Sequence, residues 1–343
     1  MPYASEDAFR ASLKARLSRQ ARDSRYSRDE LARAFTLQLF VARLFRSPDA
    51  DKWVLTGGTA LQFRAPDQAR PTADADLATQ LDRDDLTRSL AAVAAPREGE
   101  YGHFEVSVED TDTSGLYTGR LRYLLGNVRF SDATLDLATH RQFLFAPEDI
   151  RPHALVVVDE LAQMPPIRVN TAAEALADKV AALYELHGSS GTTPSTRAHD
   201  LVDLVIISRT QRLNASNVRT AIAAEETRRG IHIPVPLITP NPAWERDYPD
   251  RARHSGLPSE LHSLPAALTA ANTFLTPVLT TTNPGEWNPT QQRWTTARRA
   301  VRALLDDTHT PSTSRSTPGN HTTHPPAAPD NAPHRQHDNG YEP

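Results

Sequence analysis

The chain has 343 residues, 38% hydrophobic and 23% charged, with a formal net charge of −4 and no cysteine. That length allows one or two packed domains, and an apolar fraction below the ordinary globular range implies that part of the chain builds no core. The missing thiols exclude disulfides, thiolate nucleophiles and cysteine-held zinc, and the charge excludes a uniformly basic nucleic-acid binder.

The first fifty residues open with "SEDAFRASLKARLSRQAR" and "SRDELARAFTLQLFVARLF", whose apolar positions recur at helical spacing behind Ser5 and Ser27 as caps. Neither an apolar signal region nor a run of eighteen apolar residues is present, so the expectation is a soluble cytoplasmic protein without membrane contact. This segment holds ten Arg or Lys against six Asp or Glu, a local basic excess that nominates Arg16, Arg19, Arg22, Arg25 and Arg28 for contact with a polyanion. "KWVLTGG" predicts a short strand entering a tight turn, and "TALQF" the start of a helix behind it. "FEVSVE", "LRYLLGNVRF" and "ATLDLATH" read as strands. A capping box from Thr171 to Glu174 opens a helix with the stripe Leu176, Val180 and Leu183, stopped at Gly188. "TRAHDLVDLVIISR", "VRTAIAAEETR" and "LPAALTAANTFLTPVL" predict further helices separated by proline-rich connections. From about Asp307 the sequence is rich in Pro, Thr, Ser, His and Asn without apolar periodicity, the composition of a disordered tail.

The chemistry concentrates in "WVLTGGTALQFRAPDQARPTADADLA". A Gly-Gly pair after a strand lets backbone approach a ligand, and a helix start offers N–H groups to phosphate; the spacing matches neither a Walker loop nor a dinucleotide fingerprint. Asp74 and Asp76, two apart on an extended strand, share a face. There they repel unless a divalent cation such as Mg²⁺ joins them. Asp136, between Leu135 and Leu137, supplies a third carboxylate if its strand lies alongside. Two acids then carry a nucleotide's metal and the third helps activate an attacking hydroxyl. Among 38 basic residues only Lys14, Lys52 and Lys179 are lysines, which marks Lys179 on its amphipathic helix as a candidate for triphosphate oxygens. Asp200 and Asp203 lie on a helix apolar nearly all round, so at least one of them needs a partner, with Lys179 and Arg197 available.

The ordered set "LTGGTAL", "RPTADADL", "ALADKVAALYE" and "RAHDLVDL", followed by "PVPLITPNPAWERDY" and "FLTPVL", resembles the AbiEii/AbiGii nucleotidyltransferase toxins, including MenT-like toxins, over about residues 10 to 300. The resemblance implies an α+β fold: a DNA-polymerase-β-like nucleotidyltransferase core, a mixed sheet with helices, plus a helical C-terminal region. The corresponding divisions are a helical arm at 1–50, the core at 51–165, a helical region completing the active site at 166–306, and the tail at 307–343. It implies catalytic roles for Asp74, Asp76, Lys179 and Asp200, nucleotide contacts at Gly57, Gly58, Thr59, Thr72, Lys179 and Arg197, and metal ligation by Asp74, Asp76 and Asp136. Two positions depart from the pattern: Thr56 stands where relatives often have lysine, and His199 where a basic residue often precedes the last acid. The implied activity is Mg²⁺-dependent transfer of a nucleoside monophosphate from an NTP, with Mn²⁺ as substitute metal, to the tRNA 3′ end, inhibiting translation. A cognate antitoxin with a DNA-binding domain is the implied partner. The same chemistry on a protein or small molecule, or a catalytically silent nucleotide- or antitoxin-binding module, are the alternatives.

Overall fold

The computed structural model describes residues 3–161, 163–188, 191–281 and 284–295. The expected tail at 307–343 lies outside them. The chain begins with α1 (Glu6–Arg22) and α2 (Arg28–Leu44), capped by Ser5 and by a complete Ser27–Glu30 capping box. There follow β1 (Trp53–Thr56), α3 (Gly57–Arg64), β2 (Asp74–Thr79), α4 (Arg83–Ala94), β3 (His103–Asp110), β4 (Leu116–Leu125), β5 (Val128–Thr139), β6 (Glu148–Ile150) and β7 (Ile167–Val169). The second half is α5 (Ala172–Tyr184), α6 (Ala198–Thr210), β8 (Leu213–Asn214), α7 (Ala215–Arg229), α8 (Trp244–Arg253), α9 (Leu264–Thr280), β9 (Glu286–Asn288) and β10 (Arg293–Thr295).

Seven strands form one mixed sheet in the order β3-β4-β5-β2-β1-β7-β6, in which β2 runs parallel to β5 and β1 parallel to β7 while the other neighbours are antiparallel. The fold is α+β, as the sequence leads one to expect. One core lies between this sheet and α1, α2 and α4, centred on Phe35, Phe40, Trp53, Leu77 and Leu135. A second gathers α5 to α9 around Leu176, Leu204, Trp244 and Phe274. Burying apolar area at roughly 25 cal/mol per Å² is what holds each layer to its neighbour. α6 is apolar nearly all round because it is the centre of the second core, with Leu201 through Ile207 no more than 2% exposed.

Three local expectations need correction. "LRYLLGNVRF" is not one strand: Gly126, with φ of +63°, turns the chain so that β4 and β5 form a hairpin. Thr171 caps α5, but Glu174 turns its Oε1 to the Leu144 amide, 2.8 Å away, so the reciprocal half of that capping box is not made. α5 ends at Tyr184, ahead of Gly188.

Candidate active site

β2 begins at the paired aspartates. Ala75 and Leu77 are buried, so Asp74 and Asp76 take the opposite face of the strand. Parallel pairing sets Asp74 opposite Thr134 and Asp76 opposite Asp136, and β4 adds Arg120 opposite Thr134 and Thr118 opposite Asp136. Paired residues share a face, so one side of the sheet carries two polar rows, Thr118–Asp136–Asp76–Thr56 and Arg120–Thr134–Asp74. The sequence-predicted acids are thereby brought together. Loss of hydration in the cleft and then the Asp74 carboxylate push Asp76 up to about 6, and the same two causes raise Asp136.

Gly57 explains why a carboxylate fits here. Its φ is +66°, and a Cβ built on it would lie 1.7 Å from Asp76 Oδ2. A Cβ on Gly58 would lie 3.0 Å from Thr72 Oγ1. No side chain caps α3 at Thr56, leaving the amides of its first turn beside the acids. Thr72 Oγ1 donates to Asp74 Oδ1 at 2.5 Å, fixing that carboxylate. Thr59 is corrected: it is fully buried and its hydroxyl donates to the Asp74 carbonyl at 2.6 Å, so it shapes the site and does not reach a ligand.

Lys179 and Asp200 meet at the junction of α5 and α6. Lys179 Nζ is 2.8 Å from both Asp200 Oδ1 and Asp203 Oδ2. Arg70 donates Nε and Nη2 to the two Asp203 oxygens at 3.0 and 3.1 Å, and Arg197 Nε donates to Asp200 Oδ2 at 2.5 Å. Burial opposes charge on Lys179, yet Asp203 and Asp200 hold it above the ordinary lysine range. Burial likewise works against Asp200, but Lys179, His199 and Arg197 keep it well below the carboxylate range. His199 is pushed down to about 4, chiefly by burial, and is neutral at pH 7. Two of the ammonium's three donors are thus committed, and one remains for the cleft that Lys179 lines. Asp200 is fully buried and does not line the cleft, which it meets only through Lys179 and Arg197.

The cleft has a volume of about 670 Å³ and is bordered by Gly57, Gly58, Asp74, Asp76 and Asp136 from the sheet side and by Lys179, Arg197 and His199 from the helices. Eight arginines and Lys179 face six carboxylates around it. Sequence reasoning missed Arg70, Arg141, Asp178 and Arg229. Arg141 Nη2 is 2.6 Å from Asp178 Oδ2, and Arg229 Nη2 is 2.8 Å from Asp178 Oδ1. The signal for Asp178 was its place beside Lys179 in "ADKV". Arg141 gave none, because it is turned by His140, a non-glycine residue with φ of +58°. Of the five arginines nominated for a polyanion, Arg16, Arg19, Arg22, Arg25 and Arg28, none lines this cleft, and Arg16, Arg25 and Arg28 are engaged with Glu160, the Pro66 and Ala69 carbonyls, and Asp29.

Among the described residues, no group of three or more histidine, cysteine or carboxylate side chains closes around one point as a metal site. Asp74, Asp76 and Asp136 are neighbours on one face and not a closed ligand set, as like charges dictate. Their chemistry still fits a divalent cation: all three are hard oxygen donors, and the charge of Asp76 and Asp136 is disfavoured where they stand.

The profile of a family described as nucleotidyl transferase AbiEii toxin, type IV TA system, matches residues 38–313. The chain belongs to that family. Among solved structures, the MenT4 nucleotidyltransferase toxin of Mycobacterium tuberculosis H37Rv aligns with 86% of this chain and 98% of its own at 18% identity and a TM-score of 0.55, a shared fold. The antibiotic-resistance factor ANT(2′′)-Ia covers 57% of this chain and 94% of its own at 16% identity, with a TM-score of 0.35. No curated protein matches the chain in sequence. Among the described residues, no helix is long and apolar enough to cross a membrane.

Proposed function

We propose that this member of the AbiEii family transfers a nucleoside monophosphate from an NTP to the 3′ end of a tRNA in the cytoplasm, and so blocks translation. The observation that supports this most is the grouping of Asp74, Asp76 and Asp136 on one sheet face, beside an uncapped helix start and an arginine-lined cleft. Asp74 and Asp76, with Asp136 alongside, are the residues that would hold Mg²⁺, or Mn²⁺ in its place. When bound, the cation neutralises phosphate charge and favours departure of pyrophosphate. The α3 amides at Gly57 and Gly58 receive phosphate oxygens, and Arg197 and the remaining donor of Lys179 bind them from the opposite wall. Asp136, outermost of the three acids, accepts the proton of the acceptor hydroxyl as its oxygen bonds to the α-phosphorus. The bond to the pyrophosphate oxygen breaks in the same step. Thr72 and Asp200 orient these groups through Asp74 and Lys179. A cognate antitoxin with a DNA-binding domain completes the system.

The test is incorporation of α-labelled NTP by the full chain, offered total RNA and, separately, protein lysate. Label in tRNA that disappears with Asp76→Asn supports the reading. Label confined to protein, or wild-type incorporation by Asp76→Asn, overturns it.

A further inference from the structure

A polynucleotide acceptor is long and negative, and it needs a path to Asp136. The polar rows that carry the acids continue outward across β4. Arg120 lies on the row of Asp74, two strands away at about 10 Å, and Arg122 lies one row on, opposite Asp132 and about 6.8 Å from Arg120 along the strand. The buried residues Leu121 and Tyr123 alternate with them, so both guanidinium groups belong to the solvent face. Together with Arg33 and Arg129 they line a groove of about 630 Å³ whose acid is Asp132. Arg33 and Ala73 border both this groove and the catalytic cleft, which sets the two side by side.

We infer that this groove is the track for the acceptor's phosphates, holding the last nucleotides of a single-stranded polynucleotide so that its terminal hydroxyl reaches Asp136. The inference rests on the transferase reading above. Arginine is suited to the task because its planar fork binds phosphate oxygens in pairs. Existing partners do not prevent this: Arg120–Glu109 at 3.4 Å, Arg122–Glu105 at 3.7 Å and Arg129–Asp132 at 2.8 Å are surface pairs with both members substantially exposed. Such pairs are worth about 0–1 kcal/mol and exchange readily for a polyanion. No aromatic side chain lines the groove, so it follows the backbone and does not read sequence. The arm helix α1 is not this surface, since Arg19 and Arg22 are exposed away from the cleft.

The experiment measures binding of a fluorescent single-stranded RNA to the full chain by anisotropy across a salt series, for wild type, Arg120→Gln/Arg122→Gln and Arg19→Gln/Arg22→Gln. With four phosphate contacts the slope of log affinity against log salt is about −2.8, and it falls to about −1.4 in the groove variant. Affinity drops roughly tenfold at low salt in that variant and stays at the wild-type level in the α1 variant. Thermal melting checks that each variant is folded. Unchanged RNA affinity in the groove variant overturns the track. Transfer of label to RNA by that same variant at the wild-type rate would leave the transferase reading standing alone. A wild type that neither binds RNA nor labels it overturns both. Polyglutamate that competes with RNA at equal charge overturns the assignment to a polynucleotide.

Discussion

Replacing Asp76 by Asn should make the metal-free protein more stable while abolishing transfer. Asp76 is pushed from 3.8 up to about 6 by burial and by Asp74, with Lys179 opposing. An acid raised in the folded state resists ionisation there, so the folded chain is progressively disfavoured as pH rises from the unfolded value through about 6. Above that pH the full difference of about 2.2 units corresponds to about 3 kcal/mol, an upper bound because the site relaxes. The amide has nearly the same shape and no charge, and it recovers this energy. Melting curves of wild type and Asp76→Asn in EDTA at pH 8 should therefore show the variant several degrees higher. At pH 5, where most folded wild type is protonated but the unfolded chain is not, the energetic gap shrinks to roughly half. Added Mg²⁺ should raise the wild type and leave the variant unmoved. A variant that melts below wild type at pH 8 in EDTA would refute the electrostatic account, whatever its activity.

Gly57→Ala should lower both stability, by more than about 1 kcal/mol, and transfer, because the methyl group would occupy the place of Asp76 Oδ2 and the backbone is left-handed; urea unfolding beside incorporation checks this. Lys179→Met should cost about 3 kcal/mol in urea unfolding, since Asp200 and Asp203 lose their shared cation, and a cost under 1 kcal/mol would show the network to be dispensable. Asp136→Asn should slow transfer about a hundredfold or more while the KM for NTP changes little, and an unaltered kcat would remove it as proton acceptor.

The acids were legible because strand geometry makes them so. Two aspartates two apart must share a face, and Asp136 between two leucines had to stand opposite the core; only the parallel pairing that aligns it with Asp76 required the fold. The helices Glu6–Arg22, Arg28–Leu44 and Ala198–Thr210 were equally clear, the first two from apolar spacing and caps and the third from its apolar run. Roles that depend on distant partners were not. Lys179 was readable as a partner for Asp200 or Asp203, because two acids on an apolar helix need a cation, but one helix alone does not reveal that its ammonium meets both. Thr59 looked available because a hydroxyl's commitment to a carbonyl fifteen residues away has no local mark. Arg70 and Arg141 were hidden by abundance, since a chain so rich in arginine gives no single one distinction. The hairpin at Gly126 was missed because apolar alternation continues across a two-residue turn.

The scarcity of lysine has a consequence for handling this protein. Lys52 is about half exposed and Lys14 lies on the outer face of α1, whereas Lys179 sits beneath two carboxylates. Amine-directed reagents should therefore mark Lys14 and Lys52 and pass over the cleft, giving a tethered or dye-labelled protein whose site is chemically untouched. The slow appearance of label on Lys179 then becomes a clock for separation of α5 from α6. Any ligand that tightens that junction should slow the clock, and the rate can be read by peptide mass without following catalysis at all.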